Sequence, residues 1–212
     1  MESLDELLRQ AEIAHGHLCA GQVLGVRMAM LGCRRLVLDE PRGRDRKRLV
    51  TYIEIDRCAT DAIGVVTGCR LGKRALKFRD WGKMAATFVD LQGRAIRIVA
   101  LESSKQRARE MFPEIPDRNQ QQMAGYREMD DGDLFGEQWV EVQVAPKEMP
   151  GYKGERVACT VCGEGINYDR FVKQGDETLC MACAFPEQRY YQPAGPAVVR
   201  QETDPASRCE CA

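Results

Sequence analysis

The sequence predicts an α+β fold, an antiparallel sheet with helices packed on it, followed by a small C-terminal module built on four cysteines. Three observations carry that reading. Apolar residues recur at helical spacing early in the chain, and short β-branched runs punctuated by glycine recur at strand spacing in its middle. Near the end, Cys159 and Cys162 form one CxxC pair and Cys180 and Cys183 another, with seventeen residues between them. Two CxxC knuckles at that spacing are the pattern of a zinc ribbon, because each turns two thiolates back on one metal and the pair completes a tetrahedral shell.

The elements follow in order. Ser3 with Glu6 three residues later has the form of a capping box, and Leu4, Leu7, Leu8 and Ala11 then line one face, so a first helix is expected over 3–14. His15 to Cys19 interrupts the pattern, and Val23, Leu24, Met28 and Leu31 carry a second, more buried helix to about residue 33. The β-branched alternation of 49–56 reads as a strand. A helix over 61–67 stopped by Gly68 comes next, with Cys58 in the turn between. Three further runs, 75–80, 83–90 and 94–101, separated by Gly82 and Gly93, suggest an antiparallel meander.

Ser103 and Ser104 supply N-cap chemistry for a polar helix to Met111, and a second polar helix is expected over 117–129. The alternating WVEVQV of 139–144 reads as a last, half-buried strand. We therefore expect an α+β domain over 1–145, a Pro/Gly-rich linker over 146–155, the ribbon over 156–192 and a mobile tail over 193–212 that ends in Cys209 and Cys211.

Composition narrows the function classes. With 31 basic and 32 acidic residues the formal charge is −1, so no global field draws the chain to nucleic acid or to an anionic membrane. Seven basic residues between Arg34 and Arg48 outnumber three acidic ones, and we read that run as a solvated connector. No stretch approaches the roughly 20 apolar residues that span a bilayer. The acidic, amphipathic start lacks the pattern of a signal peptide, so a cytoplasmic protein is expected. In a reducing compartment, ten cysteines read as metal ligands, buried thiols or reactive thiols rather than as a disulfide framework.

The ribbon module is too short to bury enough apolar surface to fold unaided, so its zinc is expected to be structural, with four thiolates leaving no open position. A protein-contact or oligomer role for it is preferred over nucleic acid, since its basic residues form no stripe.

The chemistry is expected elsewhere. The chain has two histidines, His15 and His17, at i and i+2, and Cys19 follows at the same interval. In an extended segment those three side chains project to one side, where they could converge on one metal. Cys19 also leads into a helix, whose dipole favours thiolate. Cys58 and Asp61, at another strand-to-helix turn, are the candidates for the rest of the shell. Three protein ligands plus water would make an open site. If that site is catalytic, Asp61, Glu54 or Lys73 is the candidate base. Cys69, in TGCRLGK, reads either as a buried thiol in a glycine-rich turn or as part of an anion-binding turn with Lys73, and Cys33 reads as a core residue.

The strings HGHLCAGQVLGVR (15–27), EIDRCATDAI (54–63) and TGCRLGK (67–73) together resemble the FmdE-like family of formylmethanofuran dehydrogenase proteins, whose members also carry a following zinc ribbon. The resemblance implies an α+β fold, a metal site drawn from His15, His17, Cys19, Cys58 and Asp61, and a homodimer. It implies service to a molybdenum- or tungsten-dependent enzyme, whose redox chemistry sits in other polypeptides. Ala20 stands where the family's element has proline, and Gly64 where it has glutamine. We expect zinc in the ribbon and a second metal ion, zinc again, in the N-terminal domain. The expected function is a metal-binding accessory protein, with a small metalloenzyme as the alternative.

Overall fold

The computed structural model describes residues 1–195. The proposed tail pair Cys209 and Cys211 lies outside them. The described chain forms two compact units, Met1–Gly151 and a second beginning at Tyr152.

The first unit opens with α1 (Leu4–His15), capped by the Ser3 hydroxyl, which accepts the Glu6 N–H at 3.3 Å. Gly16, at φ 94°, ends it in the left-handed conformation that a residue without a Cβ adopts freely. Helix α2 (Ala20–Arg35) follows after a short turn. It is the centre of the unit, buried on nearly every side, and two glycines let its neighbours approach. A Cβ on Gly25 would meet the Ala59 carbonyl oxygen at 2.5 Å, and one on Gly32 would meet the Phe88 ring at 2.4 Å.

The sheet is mixed, with antiparallel pairings dominating. Strands β1 (Leu49–Ile53), β2 (Leu76–Phe78), β3 (Ala85–Asp90), β4 (Arg94–Ala100) and β5 (Phe135–Val140) lie in the order β2-β1-β3-β4-β5. The expected meander holds for β3 and β4, which pair in register from Ala85↔Val99 to Asp90↔Arg94. Its first run does not join them. β2 pairs parallel with β1 through Thr51↔Leu76, because helix α3 (Cys58–Thr67) intervenes and supplies the crossover that a parallel pair requires. α3 begins earlier than expected, so Cys58 is its first residue and not part of a turn, and Gly68 at φ 69° closes it.

After β4 come α4 (Ser103–Met111), α5 (Arg118–Glu128) and the single turn α6 (Asp131–Leu134). Glu102, not a serine, occupies the N-cap of α4, and the Ser104 hydroxyl donates instead to the Leu101 carbonyl at 2.6 Å. Asp117 does cap α5, accepting the Gln120 N–H at 2.8 Å.

The helices cover one face of the sheet. Leu7 and Leu8 of α1, Val23 and Leu31 of α2, Val66 of α3, and Phe88, Ile96 and Ile98 of the sheet form one continuous core, each at most 1% exposed. The last strand lies four residues earlier than the alternation suggested. The chain leaves the ladder after Val140, yet Val142 and Val144 still pack inward, on Val50, Val89 and Ala95 of the opposite face. Further on, the carbonyls of Lys147 and Glu148 accept the Arg74 and Lys77 side chains. Packing on a face without ladder bonds keeps the alternation of a strand while losing its geometry.

The basic run after α2 is a connector that leaves Arg42, Arg44, Arg46 and Lys47 exposed as expected, but it is folded as turns around a buried acid. Asp45 is 6% exposed, accepts the Glu40 N–H at 3.0 Å and pairs with Arg48, which also clamps Asp90 of β3 at 2.7 Å.

The second unit holds two small hairpins, β6 (Val157–Ala158) with β7 (Gly165–Ile166) and β8 (Val172–Gln174) with β9 (Glu177–Leu179), then the turn α7 (Met181–Ala184). Among the described residues its buried apolar set is Cys159, Ile166 and Leu179. A core of that size cannot offset the entropy of ordering the segment, so the metal must. No helix among the described residues is long and apolar enough to cross a membrane.

Candidate metal centres

The ribbon cysteines are placed by backbone geometry. Gly163, at φ 75°, turns the first knuckle and donates its N–H to the Cys159 carbonyl at 2.9 Å. Cys180 donates its backbone N–H to the Cys159 Sγ at 3.3 Å. The four Sγ atoms lie within 4.8 Å of one another, and Cys162 and Cys180 approach to 3.9 Å. A tetrahedron with metal–sulfur bonds of about 2.3 Å has edges of about 3.8 Å, so this donor set fits zinc. Burial opposes ionisation of Cys159, but the N–H groups of Cys162, Cys180 and Val161 together bring its thiol down to about 6, while burial and the neighbouring thiols push Cys183 up to about 12. A zinc ion among the sulfurs would hold all four as thiolates.

The second cluster forms where α1 ends and where α2 and α3 begin. His15 is the last residue of α1, and the left-handed Gly16, bonded through its N–H to the Glu12 carbonyl at 2.7 Å, sends the chain back across the helix end. His17 follows, its ring centroid 4.9 Å from that of His15. Cys19 is the N-cap of α2, with φ −143°, ψ 167° and no cap bond from its side chain. One ligand atom from each of His15, His17 and Cys19 lies within 4.8 Å of the others. The three converge through a turn between helices, not through the extended segment that their even spacing suggested.

Cys58 adjoins this cluster from α3. A Cβ on Gly21 would stand 3.3 Å from the Cys58 Cβ and 3.8 Å from the Cys19 Sγ, so the glycine lets the starts of α2 and α3 close on each other. Burial and the Cys19 thiol push the Cys58 thiol upward. Asp61, one turn into α3, has its Oδ2 2.8 Å from the His15 Nδ1, which fixes that ring and leaves Nε2 as the free donor. Beside the pair, His15, Asp56, Arg57, Cys58, Thr60 and Asp61 line a cleft of about 330 Å³.

The other candidate bases lie away from this cluster. Glu54 is locked to Arg97 by two bonds of 2.7 Å, and Lys73 is exposed in a short turn after α3. Cys69 is a buried thiol, 2% exposed, with the Thr51 hydroxyl donating to its sulfur at 3.5 Å, and Cys33 is wholly buried. Two residues with no signal in the sequence lie near the cluster, on α5 and α2. Asn119 accepts the Ala20 N–H at 3.1 Å, and Gln22 is buried with no partner for its carboxamide among the described residues.

The chain is similar to known proteins over most of its length. Residues 14–143 match the family model described as "FmdE, Molybdenum formylmethanofuran dehydrogenase operon". Residues 152–189 match that of the prokaryotic dksA/traR C4-type zinc finger. A curated relative from Archaeoglobus fulgidus, named a probable S-adenosyl-L-methionine-binding protein, is 31% identical over 225 aligned positions covering 93% of this chain. The match takes in 57% of that relative, so the chain spans little more than half of its length. A crystal structure of a tungsten formylmethanofuran dehydrogenase FmdE-like protein from Syntrophus aciditrophicus superposes with a TM-score of 0.58 at 21% identity, covering 89% of this chain and 95% of the other. At that identity the superposition supports the fold.

Proposed function

The chain belongs to the FmdE family, and on that premise we propose that its first unit holds a metal ion of its own, distinct from the ribbon's zinc, and serves a molybdenum- or tungsten-dependent enzyme as an accessory protein. The observation that carries the metal reading is the convergence of His15, His17 and Cys19 at the junction of three helix ends. Two imidazoles and a thiolate are borderline donors that suit zinc. Cys58 stands beside Cys19 as an exchangeable fourth ligand, one that water or a substrate can displace from the three-residue set. Asp61 orients the His15 ring, in place of the ligand role its spacing suggested.

A bound zinc would supply a Lewis acid and a point of exchange. The ribbon's zinc has neither use, because four thiolates fill its shell. The S-adenosylmethionine binding named for the archaeal relative belongs to that protein, and none of the reading for this chain depends on it. We assign the chain to the cytoplasm and to a homodimer on the family's habit alone.

The cleft of about 330 Å³ beside His15 favours a second reading, a small metalloenzyme. There Asp61 is the base nearest the centre, since Glu54 is held by Arg97. Deletion of the gene separates the two. The accessory role predicts that molybdenum- or tungsten-dependent activity and the metal content of that enzyme both fall, and that wild-type protein but not Cys19→Ser restores them. Unchanged activity and metal content in the deletion strain would contradict the accessory role.

A further inference from the structure

Gln22 is the anomaly of the first unit. It is 0% exposed, and neither its Nε2 nor its Oε1 has a hydrogen-bond partner among the described residues. Burying a carboxamide unpaired is costly, and native proteins rarely keep one without a use. Leucine or methionine would fill the same space without that penalty.

Its position supplies the use. Cys19 is the N-cap of α2, so Ala20, Gly21 and Gln22 are its first three helical residues, and the Gln22 N–H already bonds to the Cys19 carbonyl at 3.0 Å. The N-cap and third helical positions are the two ends of a capping box. In that arrangement the N-cap side chain accepts the third residue's backbone N–H, and the third residue's Glu or Gln side chain reaches back to the N-cap backbone N–H. Side chains on a helix lean toward its N-terminus, which directs the Gln22 carboxamide at Cys19. Here the N-cap side chain is a thiol that makes no cap bond, and the glutamine is left unpaired, so both halves of the box are open at once.

We propose that Gln22 is a positioning residue for the N-terminal metal centre, closing a capping box on Cys19 when the thiolate is held by a metal. This rests on the reading of Cys19 as a ligand. A metal fixes the Cys19 Sγ at the mouth of α2, where as an anion it accepts the first-turn N–H groups. The carboxamide then pairs with the Cys19 backbone N–H, so that the metal holds the first turn of α2 more tightly than its backbone bonds do alone.

The test compares wild type with Gln22→Leu, and with Gln22→Met in case the leucine packs badly, each as the full chain loaded with zinc or stripped of it. Two readouts are used, zinc affinity of the N-terminal centre by chelator competition and hydrogen exchange of the peptide spanning 16–24. The proposal predicts that the metal-free variants melt at or above the wild-type temperature while their zinc affinity falls about tenfold or more. It predicts that zinc protects the first turn of α2 in the wild type and fails to do so in the variants. Zinc affinity and zinc-dependent protection equal to wild type would overturn it. If Cys19→Ser binds as much zinc as wild type, the metal reading fails first, a result distinct from the failure of Gln22.

Discussion

Asp61 Oδ2 stands 2.8 Å from the Nδ1 of His15, joining the first turn of α3 to the last residue of α1 across forty-six positions of sequence. The contact holds one imidazole in a single orientation with Nε2 free, which is how carboxylates orient histidine ligands around metals. Asp61→Ala removes the orienting group and leaves every donor atom in place. The expected outcome is a tenfold to hundredfold loss in affinity of the N-terminal centre for zinc, read by chelator competition, with the ribbon's zinc retained.

The close approach of α2 to α3 brings Cys19 beside Cys58, and Gly25 permits it. A Cβ there would lie 2.5 Å from the Ala59 carbonyl oxygen and 2.7 Å from its Cα, both backbone atoms that cannot swing aside. Gly25→Ala should therefore push the two helices apart. We expect a loss of about 3 kcal/mol in denaturant unfolding, together with weaker N-terminal metal binding although residue 25 touches no candidate ligand.

Stability toward acid should depend on Asp90. Burial opposes its charge, but the Arg48 guanidinium at 2.7 Å and the Gln92 N–H hold its carboxyl below the usual range. A carboxyl lowered in the folded state contributes stability that is complete above its unfolded value of about 3.9 and is lost as pH falls through the folded one. Glu137, lowered by its bonds to Arg35, acts in the same sense. Asp90→Asn should cost about 1–2 kcal/mol at pH 7 in chemical unfolding and flatten the decline below about pH 4.

Removing the ribbon's zinc should unfold the second unit alone. Among the described residues its buried apolar side chains are three, against a large continuous core in the first unit. Cys162→Ser should abolish exchange protection across residues 157–184 and leave the main melting transition of the first unit within about 1 °C of wild type, as judged by calorimetry and hydrogen exchange.

Much of this arrangement was legible because its chemistry is local. The two CxxC knuckles and the His-x-His-x-Cys run are complete within a few residues each, and the structure draws each group together. The Ser3 cap was equally readable, since a cap bond spans three residues. What could not be read depends on distant partners. Nothing near Leu76 says that its strand will lie parallel to β1, a pairing decided by α3 and by the loss of β2's place beside β3. Val142 and Val144 alternate like a strand because they pack on a sheet face, and only the absent ladder bonds tell the difference. Asp45 looked solvated until Arg48 and Asp90 closed around it. Asp61 was singled out by its nearness to Cys58, and its pairing with His15 is set by tertiary packing alone.

Metal content of the purified chain tests the central claim most directly. Elemental analysis of zinc-loaded wild type, Cys19→Ser and Cys162→Ser gives one number per chain for each. A second centre at His15, His17 and Cys19 predicts about two zinc ions for wild type and about one for each variant. About one zinc for wild type and for Cys19→Ser alike, with none for Cys162→Ser, would contradict it and leave the ribbon as the chain's sole metal site.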